Sequence, residues 1–212
     1  MIGVGKFESD LPDLGSSKKH LQDFGKETMT FGRTPKKKQP LDEAALYEYA
    51  IGALGRRMRT VAELKRLMRL RVEENESGEA KVDRVIARLK EQRYLNDTNF
   101  ATDYARLRQE NSSFGKRRVR QDLIQKGVHA NVIAHTLDAA YENVNEEELA
   151  RQHLSRKRIR KPANEKEAAR VMRMLVRAGF STGVVFKILK RWDVDEEALS
   201  ALEGMDAEDN RE

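Results

Sequence analysis

The side chains able to do chemistry in this chain are few, and their spacing assembles no reaction centre. Four histidines, His20, His129, His135 and His153, stand far apart, and no His-Glu-x-x-His pair exists to hold a metal on one helix face. The chain has no cysteine, which excludes thiolate catalysis, thiolate-bound zinc and structural disulfides. Gly115-Lys116 has the form of the end of a phosphate loop. However, Glu110 stands where that loop needs its first glycine, and Arg117 where it needs a magnesium-binding hydroxyl. Gly3-x-Gly5 has no strand before it, so it makes no dinucleotide fingerprint. Glu146-Glu147-Glu148 is a run of carboxylates, but it opens a helix, where the dipole favours acids. No nucleophile, base and orienting group form a set. We expect no enzyme, no cofactor and no metal site.

The cations say more. Arg56, Arg57 and Arg59 stand at the end of one helical stretch. Lys116, Arg117, Arg118 and Arg120 stand at the start of another. Arg156, Lys157, Arg158, Arg160 and Lys161 form the densest group. One such group is ordinarily a solvated helix face. Three, each near a first-to-second helix junction, would line up into a strip if the units that carry them stack in order. Such a strip suits a polyanion or an acidic protein groove. Few aromatics interleave, so phosphate or carboxylate pairing is the expectation and base stacking is not. Tyr94, Phe100 and Tyr104 invite a stacking role, yet Phe100 and Tyr104 share a helix face and fit a core. Trp192 reads as a packing residue.

The elements that must position these cations are helical. Ala45, Leu46, Tyr49, Ala50, Ala53 and Leu54 make one apolar stripe of period 3.6. Val61, Leu64, Leu67, Met68 and Val72 make a second, and Val82, Val85, Ile86 and Leu89 a third, with Lys90 at its edge. No stretch alternates long enough for a strand. Thr60-Val61-Ala62-Glu63 predicts a capping box, and Asn145 with Glu148 and Asn164 with Glu167 have the same form. Gly127 and Gly179 predict helix ends in the left-handed conformation. These two stops expose a repeat. Val119, Leu123, Gly127, Ile133 and Leu137 recur as Val171, Leu175, Gly179, Val185 and Leu189, each 52 positions later. Phe100-Ala101-x-x-Tyr104 sits like Leu149-Ala150-x-x-His153. Residues 41–95 fit the plan less well, with a hydrophilic loop expected around Glu73 to Glu79. The fold class expected is all-α: an elongated array of three tandem three-helix repeats, spanning 41–95, 96–143 and 144–202. A trio of this size buries little surface alone, so neighbours must touch.

The 212 residues carry 41 Lys and Arg against 35 Asp and Glu, a formal charge of +6, with 36% charged residues and 6% aromatics. Residues 1–40 hold three of the four prolines and a charge of +3. They read as a disordered or irregular basic arm. Residues 203–212 carry −4 and read as an acidic tail, which leaves +7 on the body between them. The longest run without Asp, Glu, Lys or Arg is Gly127 to Leu137, too short to span a membrane. No apolar signal core follows Met1. A cytoplasmic location without membrane contact is expected.

Two patterns stand out in the body, Tyr94-Leu95-Asn96-Asp97-x-x-Phe100-Ala101-x-x-Tyr104-x-x-x-Arg108 and Phe114-Gly115-x-x-Arg118-Val119-x-x-x-Leu123-x-x-Lys126-Gly127-Val128. Over these residues the chain most strongly resembles the RecX family of recombinase regulators. The resemblance extends to Arg56-Arg57 with Thr60-x-x-Glu63-Leu64, and to Leu175-x-x-x-Gly179-Phe180, covering about residues 41–192. Asn96 stands where the family usually has Asp, Lys116 where it often has Pro, and Asp122 where it usually has Glu. The resemblance implies a tandem array of three-helix units, without cofactor, that binds the RecA–DNA filament in its helical groove; a monomer is expected. It implies inhibition of strand exchange and of the coupled ATP hydrolysis, by blocking filament growth or promoting disassembly. Single-stranded and double-stranded DNA are implied contacts, directly or through the filament. On this reading the three basic groups face the partner, with Arg117, Arg118, Arg156, Arg158 and Arg160 carrying most of the binding. An independent DNA-binding protein built from helix-turn-helix-like trios fits the same charges, and so does a charged helical scaffold with another partner.

Overall fold

In a computed structural model, residues 39–192 and Val194 are described. The expected arm over 1–40, apart from residues 39 and 40, and the acidic tail lie outside them. The described residues form nine α-helices and no strand. They are α1 (Glu43–Arg56), α2 (Val61–Arg69), α3 (Glu76–Glu91), α4 (Asp97–Ser112), α5 (Lys116–Gln125), α6 (Ala130–Tyr141), α7 (Glu146–Arg156), α8 (Glu165–Arg177) and α9 (Thr182–Arg191). An all-α fold is what the periodicity demands.

Three apolar cores follow one another along the chain. Leu46, Ala50, Leu64, Met68, Val82, Val85, Ile86 and Leu89 close the first, between α1, α2 and α3. Phe100, Ala101, Val119, Leu123, Ile133 and Leu137 close the second, between α4, α5 and α6. Leu149, Ala150, Met172, Leu175, Phe180, Val185 and Leu189 close the third, between α7, α8 and α9. Within each trio the third helix packs on both others: α3 on α1 and α2, α6 on α4 and α5, α9 on α7 and α8. All ten positions of the 52-residue repeat behave alike. The eight apolar ones are buried, and both glycines end a helix with positive φ, +75° at Gly127 and +91° at Gly179.

Those glycine turns are Schellman motifs. The Gly127 amide donates to the Ile124 carbonyl (2.8 Å) and the Val128 amide to Leu123 (3.1 Å). The Gly179 amide donates to Val176 (2.9 Å) and the Phe180 amide to Leu175 (3.2 Å). The same motif closes α3 at Arg93 (φ 61°) and α7 at Arg158 (φ 54°), where no glycine marks it.

Thr60 makes the full capping box with Glu63. Asn145 and Asn164 cap α7 and α8 with their own side chains, accepting from Glu147, Glu148 and Glu167 amides, but neither forms the expected reciprocal box. Glu167 instead accepts from the Ala163 amide (2.8 Å). Glu146, expected only as a dipole acid, accepts from both the amide and the hydroxyl of Ser181 at the start of α9 (2.8 Å each). The hydrophilic loop expected around Glu73 to Glu79 is shorter. Asn75 accepts from the Gly78 amide (2.8 Å), so α3 already begins at Glu76. Val72, assigned to the second stripe, lies beyond the end of α2.

Candidate partner-binding surface

Successive trios meet in one repeated way. The start of α2 docks on the glycine turn that ends α5, and the start of α5 on the glycine turn that ends α8. At the α2–α5 contact, the Thr60 hydroxyl donates to the Lys126 carbonyl at 2.6 Å, and Lys126 is the C-cap of α5. The Val61 amide donates to Asp97 (2.9 Å). At the α5–α8 contact, the Gly115 amide donates to the Ala178 carbonyl at 2.8 Å. Gly115 is the N-cap of α5 and Ala178 the C-cap of α8. Both contacts therefore join an N-cap residue to a C-cap carbonyl. The positive end of one helix dipole faces the negative end of the next.

The two contacts differ in what lies around them. Lys126 Nζ pairs with Glu63 at 2.9 Å and lies 5.6 and 5.5 Å from the Phe100 and Tyr104 ring centres. Burial alone would raise the Glu63 carboxyl. The Lys126 ammonium and the Thr60 amide outweigh it and hold the group below the usual carboxylate range. At the other contact, His153 is buried between the Phe114 and Phe180 rings. Its Nδ1 lies 2.8 Å from the Ser112 carbonyl. A carbonyl only accepts, so Nδ1 carries the proton. His153 was one of four scattered histidines in the sequence; only its alignment with Tyr104 marked it as a core position.

The basic groups sit at or just before the starts of the three middle helices. Arg56 ends α1, Arg57 is its C-cap, and both are exposed. Arg59 lies in the following turn, half-buried, with Nε donating to the Ala53 carbonyl (3.2 Å). In the second group Lys116 pairs with Asp138 (2.6 Å) and lowers that carboxyl. Arg118 pairs with Asp122 (3.1 Å) over the Phe114 ring. Asp122 also accepts from the Tyr104 hydroxyl (3.0 Å), so Arg118 belongs to a packed network. Arg117 and Arg120 are exposed and line, with Lys116, a cavity of about 400 Å³ that Glu142 and Glu146 also border. In the third group Arg156 donates to the Asn111 carbonyl across the trio boundary (2.8 Å). Lys157 is the C-cap of α7, Arg158 holds its left-handed turn, and both are exposed.

Arg160 and Lys161 lead into a larger groove of about 640 Å³ against α8. Arg170, Arg173 and Arg177 line the same groove. The sequence marks this helix by its core stripe, Val171 and Leu175, and leaves these three arginines unassigned. The signal was there in the spacing, since positions 170, 173 and 177 fall on one helix face. Among the described residues no group of three or more His, Asp or Glu is placed to hold a metal ion, and no helix is long and apolar enough to cross a membrane.

Comparison with known proteins points one way. Residues 96–137 match the second three-helix domain of RecX. The regulatory protein RecX of Leptothrix cholodnii is 33% identical over 114 residues, which are 54% of this chain and 70% of that protein. The regulatory protein RecX of Bacillus mycoides is 30% identical over 160 residues, 74% of this chain and 58% of its own length. That of Oceanobacillus iheyensis is 27% identical over 154 residues, 71% and 54%. The chain thus spans little more than half the length of these last two relatives. Two crystal structures share the fold. One, of a regulatory protein RecX, has a TM-score of 0.57 at 23% identity, covering 70% of this chain and 71% of that one. The other, RecX from Lactobacillus salivarius, has a TM-score of 0.56 at 21% identity, covering 71% and 96%. With a relative one-third identical over more than two-thirds of its length, this chain belongs to the RecX family of regulatory proteins.

Proposed function

We propose that this chain regulates the RecA recombinase by docking in the groove of the RecA–DNA filament. It slows strand exchange and the coupled ATP hydrolysis by blocking filament growth or promoting disassembly. It acts as a cytoplasmic monomer, without a cofactor or catalytic residue. Family membership supports the reading. The observation that carries it is the repeated N-cap to C-cap contact between middle helices, with a basic group beside the start of each of the three. A partner with a helical repeat of its own can then be met by several equivalent patches. Each contact is weak, and linkage raises the effective concentration of the next. Guanidinium groups suit carboxylates and phosphates alike, because they bond bidentately.

Arg56, Arg57, Arg117, Arg120, Arg158 and Arg160 are the exposed arginines of the set with neither an ion pair nor a side-chain hydrogen bond among the described residues. We assign them the partner contacts, while Arg59, Lys116, Arg118 and Arg156 also hold the scaffold. Co-sedimentation with RecA filaments on single-stranded DNA tests this. Binding that requires recombinase, and that falls about tenfold in Arg117→Glu with Arg160→Glu, a loss of about 1.4 kcal/mol, supports it. Equal binding to DNA without recombinase, falling steeply with salt, would favour the independent DNA-binding reading instead.

A further inference from the structure

The groove against α8 has an unusual balance. Arg160, Arg170, Arg173 and Arg177 border it, and Ile159 and Met174 form part of its apolar lining. None of these four arginines makes an ion pair among the described residues. The acid at its edge, Glu167, is turned to the Ala163 amide. A groove with cationic walls and an apolar floor fits a segment that is acidic and apolar at once. The chain itself carries one. Residues 195–212, outside the described residues, hold eight acids and one arginine. Leu199, Leu202 and Met205 recur among them at every third position.

We propose that residues 195–212 occupy the α8 groove of their own chain and compete there with any anionic partner. Three observations select this occupant. The charges are complementary: −7 in the segment against four guanidinium groups in the groove. The segment starts just after Val194, which packs on the third core, the core to which α8 contributes Val171, Met172 and Leu175. The tether is short, so the local concentration of the segment is in the millimolar range. Eighteen residues reach at most about 60 Å when extended, ample for a groove on the same trio. The seat masks Arg160 while leaving Arg57, Arg117 and Arg120 open. It makes the third basic patch conditional and the first two constitutive.

The chain has no cysteine, so Ser200→Cys in the full chain takes one spin label. Amide signals are then compared with the label oxidised and reduced. Loss of intensity at Arg170, Arg173 and Arg177, with Leu46 and Leu64 unaffected, is the expected result. The loss should disappear at about 1 M salt, where the screening length falls to about 3 Å. It should disappear too in Arg173→Glu with Arg177→Glu, whose unchanged circular dichroism reports the fold. Three results overturn the proposal. The groove amides keep full intensity, the loss survives both salt and charge reversal, or it appears when spin-labelled chains are mixed with separate isotope-labelled ones. The last assigns the groove to a second copy. Neither recombinase nor DNA is in the sample, so the outcome is independent of the proposed regulatory role.

Discussion

The α2–α5 and α5–α8 contacts place equivalent residues together yet hold them by different means. At the first, side chains do the work: a threonine hydroxyl on a C-cap carbonyl, an aspartate on an amide, and a lysine–glutamate pair. At the second, backbone meets backbone. The Gly115 amide bonds to the Ala178 carbonyl, and a methyl group at either Gly115 or Gly179 would overlap main-chain atoms across the contact. The difference teaches that register here follows from the cap positions, and that the cap chemistry is interchangeable. It also assigns different weaknesses. Charge and pH act on the first contact, and added volume on the second.

The largest effect should come from Gly115→Ala. Its methyl meets the Gly179 carbonyl, which cannot move without disturbing the turn that ends α8. A loss of about 3 kcal/mol in urea unfolding is expected, in the range of overpacking inside a fixed backbone. A loss under about 0.5 kcal/mol would mean the two trios part freely. Gly127→Ala should cost less, about 2 kcal/mol, because the group it meets is only the Ala62 methyl and most of the penalty is the left-handed φ. Ala62→Gly in the same chain should recover part of that loss, and a double-mutant cycle reads the coupling. The same cycle with Ala62→Gly and Gly115→Ala should show none.

His153→Phe comes next. The ring packing between Phe114 and Phe180 is kept, but the Ser112 carbonyl loses its donor. About 1.5 kcal/mol is expected from a part-buried acceptor left without its donor, read as a lowered midpoint of thermal unfolding. No change would show that the imidazole is only filler. The smallest effect belongs to Glu63→Gln, about 0.5–1 kcal/mol near neutral pH for a partly exposed pair. The sign is fixed by the lowered carboxyl. A group whose folded-state value is depressed stabilises above its unfolded value, near 4.5, and loses that contribution as pH falls through the folded value. Wild type and Glu63→Gln should therefore differ at neutral pH and converge in acid. Divergence in acid would reverse the assignment.

Much of this was legible in the sequence because it rests on local rules. Gly127 and Gly179 announce left-handed turns by residue type, and the 52-residue spacing follows from placing those turns in register. Thr60 with Glu63 announces a cap because both partners lie within one turn. What escaped depends on residues far apart in sequence. Glu167 looks like a box partner for Asn164 until the preceding loop offers the Ala163 amide. Glu146 looks like a dipole acid until Ser181 is folded beside it. His153 looks like a surface histidine because its carbonyl partner is 41 positions away. Arg93 and Arg158 adopt left-handed turns without glycine, so their helix ends carry no mark. The basic groups were legible as composition. Their division into scaffold pairs and open arginines was not, since Lys116–Asp138 and Arg156–Asn111 form only on folding.

The regulatory reading meets its most direct test in the rate of ATP hydrolysis by RecA on single-stranded DNA. With this chain present well below one copy per recombinase, the account predicts a progressive fall in rate, and a weaker fall with Arg117→Glu and Arg160→Glu. An unchanged rate at equimolar chain and recombinase would contradict it.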